Sequence, residues 1–232
     1  DAVGTAPQAP LDDDAGKNEA SPYPGPEAGI TWDDYVRSVE IFNLGQKQHT
    51  SRPEQAKRFY LEAVAINPYL AEAYLNLGIV SDTHKEVQEA YLNAARAADN
   101  GRNNPVYTDA MANLGHFLVE DSDRGHDYHV VEQAIEYYTR ALGVTPAHQT
   151  TLYNLGIAYE VQGKRQEAYD TYRKVLASNP LHVGANLNAG NLLMYAGLYN
   201  LSLAFHERAL RGYAELGGHT IESTKAYCRE LI

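Results

Sequence analysis

Apolar and small residues recur along this chain in two interleaved helical patterns. The first carries a large apolar residue two positions ahead of a polar amide: Ile41 before Asn43, Tyr74 before Asn76, Met111 before Asn113 and Leu152 before Asn154. Each amide is followed by Leu-Gly, and a fifth copy reads Asn188-Ala189-Gly190. The glycines are 33, 37, 41 and 34 residues apart. The second pattern follows each glycine. Small residues stand at Ala56, Ala90, Ala134, Ala168 and Ser202, with Ala63, Ala97, Ala141, Val175 and Ala209 seven residues later. Between them, four after the first mark, lie Tyr60, Ala94, Tyr138, Tyr172 and His206. Steps of three, four and seven keep residues on one face of a helix. Pro68, Pro105, Pro146 and Pro180 then close the units, because proline cannot donate the bond that continues a helix.

Each unit therefore predicts two helices and a break. A glycine in the first helix opposite a small residue in the second lets the pair approach closely. The predicted repeats run over about 31–70, 71–107, 108–148, 149–182 and 183–216, so residues 31–232 form one solenoid. Two insertions lengthen the period. Three residues enter near Asp99–Asn104, and seven enter around Ser122–Tyr128, between the helices of the third unit. Thr31, with Asp34 three residues on, reads as the first N-cap. Trp32, Tyr35, Val36, Val39 and Phe42 follow as an apolar stripe. Residues 219–232 read as a last, capping helix with Ile221, Tyr227, Cys228 and Leu231 on its apolar side.

This pattern resembles the tetratricopeptide repeat (TPR) family over residues 38–215. The resemblance implies an all-α fold, a TPR α-solenoid wound as a right-handed superhelix. The chain departs from the pattern at Ala94, where an aromatic residue is usual. In the fifth unit it departs at Asn186, Ala189, Ser202 and His206, and Gly217-Gly218 stands in place of a closing proline. End repeats of such stacks commonly differ from the rest.

The resemblance also places function. In this family the first helices line a concave groove. Leu and Gly face into the stack, so the Asn one residue earlier, about 100° around the helix, is left toward the groove. Asn43, Asn76, Asn113, Asn154 and Asn188 would then form a ladder. An amide both donates and accepts, so each rung could pair with the backbone of an extended peptide whatever its side chains. The row is similar to the peptide-binding asparagine ladder of O-GlcNAc transferases, and Ala71-Glu72-Ala73-Tyr74-Leu75-Asn76-Leu77-Gly78 nearly copies their unit. No glycosyltransferase domain accompanies it here, so what the likeness implies is a binding mode. Four or five rungs at about 0.5–1.5 kcal/mol each imply weak binding alone, with specificity left to neighbouring pockets. The alternative is that each amide serves a neighbouring helix.

Four residues before and three after each Asn come further groove positions, among them Glu72, Ile79, Asp109, His116, Thr150, Ile157 and Asn191. They include no Lys or Arg. That argues against a clamp for a C-terminal carboxylate and for a neutral to slightly basic peptide.

Composition narrows the field. The chain has 232 residues, is 44% hydrophobic and carries a net charge of −11. This acidity argues against nucleic acid as a partner, and no apolar run is long enough to insert in a membrane as a helix. Residues 1–30 hold five of the ten prolines and six acidic groups against one lysine. They predict an extended acidic tail that lies on its own solenoid or on a partner. Asp1 in place of Met fits a removed targeting segment or a trimmed chain equally.

Chemistry is sparse. Asp121, Asp123, Asp127 and Glu132 have the offsets of a calcium loop, but Gly125 and His126 occupy a ligand and the turn-glycine position, so a solvated acidic loop is the reading. His116, His126 and His129 lack a zinc spacing. Asn200-Leu201-Ser202 is a glycosylation triplet only in a secreted chain. Cys228 reads as core. No catalytic residue, metal site or cofactor is expected. The sequence thus predicts a non-enzymatic interaction module or scaffold. Alternatives are a structural subunit of a larger multiprotein complex, docking by its convex face and tail, and the targeting region of a larger enzyme such as a glycosyltransferase.

Overall fold

The computed structural model describes residues 29–98, 105–123 and 128–215, the side chains of 121–123 and 128 excepted. Ten α-helices stand among the described residues, and no strand. They are α1 Trp32–Gln48, α2 Pro53–Ile66, α3 Ala71–Ile79, α4 His84–Ala98, α5 Pro105–Asp123, α6 Tyr128–Val144, α7 Gln149–Val161, α8 Arg165–Ser178, α9 Val183–Tyr195 and α10 Tyr199–Glu215. The extended tail, the Asp99–Asn104 insertion, Gly125, His126, Asp127, Gly217-Gly218, Cys228 and the capping helix all lie outside the described residues.

Local chemistry sets the helix ends. Thr31 caps α1 as predicted, its Oγ1 accepting from the Asp34 N–H at 3.1 Å. Thr83 and Glu86 form a reciprocal capping box at α4, each accepting from the other's backbone N–H at 3.3 Å. After α7 and α9, Gly163 and Gly197 take φ of 73° and 77°. Each ends its helix in a Schellman turn, with Lys164 N–H donating to Tyr159 O at 2.8 Å and Leu198 N–H to Leu193 O at 2.9 Å. Only glycine enters that backbone region without a Cβ penalty. Pro68, Pro146 and Pro180 follow α2, α6 and α8. Pro105 does not close a unit. It opens α5 as its first residue, where a missing N–H costs nothing.

The chain divides into two units, residues 1–110 and 111–232. In the first, α1 packs on α2, α2 on α3 and α3 on α4. Phe42, Tyr60, Ala63, Leu70, Leu77 and Val80 form its core. In the second, α6 packs on α7, α7 on α8, α8 on α9 and α9 on α10. Tyr138, Leu155 and Ala158 share one cluster there, while Leu152, Tyr172, Val175, Ala185 and Leu192 share another.

In both units the repeat glycines seat an aromatic ring and not, as the spacing suggests, the small residue of the second helix. A Cβ built on Gly45 would stand 2.5 Å from Tyr60, on Gly115 2.7 Å from Tyr138, on Gly156 2.3 Å from Tyr172 and on Gly190 2.7 Å from His206. The second repeat corrects the sequence reading. Ala94 does not leave the place empty, because Tyr91 lies against Gly78, 2.4 Å from its notional Cβ. The buried stripe of α4 runs through Val87, Ala90, Tyr91, Ala94, Ala95 and Ala98, leaving Ala97 only half-buried. The predicted stripe on α1 holds at Val39 and Phe42, but Trp32 is 51% exposed. Leu44 is 45% exposed, whereas its counterparts Leu77, Leu114, Leu155 and Ala189 are buried. No helix stands ahead of α1 among the described residues to cover either.

Candidate functional site

The five asparagines sit mid-helix on α1, α3, α5, α7 and α9, and all are half-buried. In the second unit, Asn188 is tied to the helix before it. Its Nδ2 donates to the Tyr172 hydroxyl at 3.1 Å, and that hydroxyl in turn donates to Glu160 by a very short hydrogen bond. The network thus joins α7, α8 and α9. Burial raises the Glu160 carboxyl above its usual range, opposed by the bond from Tyr172. Burial and then Glu160 push the Tyr172 phenol far up, so the hydroxyl stays a donor throughout the working pH range.

The first unit repeats the arrangement with other residues. His49 Nδ1 is 2.9 Å from the Tyr60 hydroxyl. Burial pushes that phenol to about 12, and the side chain of Asn76 faces it and opposes the shift. His49 and Glu160 each stand four residues after a repeat glycine, one turn along the same face. Sequence reasoning missed both. The signal was a polar residue at a fixed offset, but Val119 and Met194 at the equivalent positions broke the series.

The third repeat lacks this brace. Among the described residues the buried Tyr138 hydroxyl has no partner, and burial and then Glu120 push its phenol far up. Asn43, Asn113 and Asn154 make no side-chain hydrogen bond among the described residues. Asn188 therefore fulfils the alternative, structural role in part, whereas Asn113 and Asn154 keep the full capacity of their amides. A contrast follows. Removing the Tyr138 hydroxyl (Tyr138→Phe) is expected to leave stability unchanged or raise it, because a buried orphan is deleted. Tyr172→Phe is expected to lose about 1–2 kcal/mol, since Glu160 loses its donor. Urea unfolding followed by circular dichroism measures both.

The flanking positions divide similarly. Glu72, Asp109 and Ile157 are half-buried, while Ile79, Thr150 and the His116 ring are exposed. His116 Nε2 lies 3.4 Å from Glu120. Asn191 is engaged on one side, its Oδ1 meeting His206 Nε2 at 3.0 Å. His206 is buried where the other repeats carry tyrosine, its ring also near Ser202, whose hydroxyl donates to Gly190 O at 2.8 Å. That buries the serine of the candidate glycosylation triplet inside α10. Asn186, also fully buried, donates from Nδ2 to Pro180 O and His182 O, both at 3.0 Å, so its amide clamps the turn that precedes α9. The described residues contain no group of three His, Cys, Asp or Glu side chains placed to hold a metal ion. None of the described helices is long and apolar enough to cross a membrane.

Residues 150–182 match the tetratricopeptide repeat family model. Those residues take in α7 from its second residue, all of α8 and the turn through Pro180 to His182, the segment with the Gly156–Tyr172 contact. The fold is a TPR α-solenoid. Among solved structures, MamA superposes with a TM-score of 0.63 at 19% identity, covering 76% of this chain and 98% of that one. YrrB, described as a TPR protein with an unusual peptide-binding site, gives 0.60 at 21% identity, covering 83% and 92%. PilF of Pseudomonas aeruginosa gives 0.64 at 20% identity, covering 86% and 93%. Among curated proteins, human protein O-mannosyl-transferase TMTC3 is 27% identical over 162 residues, 67% of this chain and 16% of its own length. Human tetratricopeptide repeat protein 6 is 23% identical over 163 residues, 70% of this chain and 29% of its own. The chain thus spans less than a third of the length of either curated relative.

Proposed function

We propose that this TPR solenoid is a non-catalytic interaction module that holds an extended polypeptide against the first helices of its repeats. The observation that carries the reading is the recurring Asn on those helices, with Asn113 and Asn154 in the second unit keeping both donor and acceptor unspent. A backbone offers alternating C=O and N–H groups that such amides match without regard to side chains. Asn43 and Asn76 present the same residue in the first unit. Asn188, braced by Tyr172, supplies a pre-oriented rung whose order is already established before a ligand arrives.

The surroundings favour a neutral to slightly basic segment. Glu72 and Asp109 lie beside the rungs, and no Lys or Arg stands at the flanking positions. YrrB, of similar fold, is a peptide-binding protein by its description, which supports the same use of the scaffold here. The likeness to TMTC3 covers a small part of that transferase and carries no activity to this chain.

The test is an array of immobilised fifteen-residue peptides probed with wild type and with the double variant Asn113→Ala/Asn154→Ala. Two lost rungs at about 0.5–1.5 kcal/mol each predict a loss of roughly fivefold or more on every peptide retained. The helical content should be unchanged, because neither amide braces the fold. Equal retention by both proteins would remove the ladder from function.

A further inference from the structure

Large apolar side chains left exposed are not spread evenly over this fold. Of the ten such residues among those described, five fall within nine positions: Tyr195, Leu198, Tyr199, Leu201 and Leu203. Tyr195 and Tyr199 are 72% and 70% exposed and Leu198 49%. Tyr195 and Leu198 stand at the turn between α9 and α10, beside the N-terminal end of α8, and Tyr199, Leu201 and Leu203 follow on the start of α10. A hollow of about 260 Å³ opens there, floored by Leu192, Leu193 and Leu198 and walled by Arg165, Tyr169 and Tyr195. Its size suits one or two side chains and not a whole small-molecule ligand, which needs more than about 300 Å³.

The charge at this hollow opposes that of the chain. Arg165 holds its guanidinium 5.9 Å from the centre of the Tyr195 ring. It makes no ion pair among the described residues. Arg208 stacks likewise on Phe205, at 4.9 Å, and Phe205 meets Tyr169 with ring centres 6.2 Å apart. No carboxylate lines the hollow. α8 carries two carboxylates near this end, Glu167 and Asp170, and Asp170 accepts from Gln166 at 3.0 Å. Residues 161–215 hold six Lys and Arg against four Asp and Glu, in a chain of net charge −11. A guanidinium over an aromatic wall and beside an aliphatic floor has the chemistry to take a carboxylate with a neighbouring apolar side chain.

We propose that this hollow is a second docking site, for an acidic peptide segment with a leucine or phenylalanine next to its carboxylates. The apolar side chain enters over Leu192, Leu193 and Leu198, and the carboxylate pairs with Arg165. The site uses none of the asparagine rungs, and its charge preference is opposite to theirs.

Fluorescence anisotropy with a labelled octapeptide, GDDLFDDG, tests this against its charge-reversed counterpart GKKLFKKG. Wild type is expected to bind the acidic peptide in the sub-millimolar range and the basic one at least tenfold more weakly. Arg165→Glu should lose tenfold or more and Leu198→Asp a similar factor. Both changes are at exposed positions, so circular dichroism should be unaltered. The Asn113→Ala/Asn154→Ala protein should bind as wild type does, which separates this site from the ladder. Equal binding of the two peptides, an unchanged affinity in Arg165→Glu, or no binding at all would overturn the proposal. So would Arg165-dependent flotation with phosphatidylserine-containing vesicles in the absence of peptide binding, which would make the surface a membrane contact.

Discussion

Gly156→Val is expected to destabilise the second unit by about 3 kcal/mol, a large part of the 5–15 kcal/mol that usually separates folded from unfolded domains. Two effects compete at this position. A helix gains about 1 kcal/mol when an interior glycine becomes alanine, less for a β-branched residue. Against that, the first added carbon would stand 2.3 Å from Tyr172 Cε1. Tyr172 cannot swing aside. It is fully buried, its hydroxyl is held by Glu160 and Asn188, and its ring lies 5.9 Å from that of Tyr153. Alanine sets the helical gain against the clash, whereas valine adds two further carbons with little gain, so overpacking prevails. Thermal unfolding followed by circular dichroism reads the loss. The double variant Gly156→Val/Tyr172→Ala should be less destabilised than the two single losses summed, because removing the ring makes room for the valine. Strict additivity would show that ring and glycine are not in the contact described.

That contact explains what the sequence reveals and what it conceals. The period was legible because a close helix crossing needs a bare position at every turn of the stack, and Gly45, Gly78, Gly115, Gly156 and Gly190 mark it with one residue type. The partner was misread: a small residue such as Ala168 is expected opposite each glycine, whereas the side chain that lies there is the ring four residues on, at Tyr60, Tyr138, Tyr172 and His206. At Tyr91 it was hidden. A ring three residues earlier on α4 reaches the same glycine with the stripe rotated, and spacing alone does not reveal a rotation. Pro105 misled for a related reason: proline ends one helix or begins the next, and only the backbone on either side decides. The candidate ladder was legible as a row of like residues. Its division into braced and unspent amides was not, since that depends on which polar side chain, His49 or Glu160, the neighbouring turn brings to the tyrosine. The hollow beside Arg165 was invisible, being assembled from two separated segments, residues 165–169 and 192–198.

Tyr60→Ala in the first unit is expected to cost about 3–5 kcal/mol, the range for deleting a buried aromatic ring. Tyr60 is fully buried, its ring lies 5.7 Å from that of Phe42 and 6.0 Å from that of His49, and its hydroxyl bonds His49. The cavity dominates the loss, and a pH dependence is superposed on it. Burial lowers the His49 pKa below 6.5. A histidine whose folded pKa is depressed contributes stability that is present above 6.5 and is lost as pH falls through the window below it. Deleting the ring opens His49 to water and returns its pKa toward the ordinary value, so the variant lacks that part of the acid sensitivity. The gap in unfolding free energy between wild type and Tyr60→Ala should therefore narrow from a unit above pH 6.5 to a unit below it. In Tyr60→Phe the packing is retained and only the bond to His49 goes, so the cost at neutral pH should fall to about 1 kcal/mol. A gap that stays constant through the window would mean that His49 is as dry without Tyr60 as with it. The acid sensitivity of this unit would then have to be sought among its carboxylates.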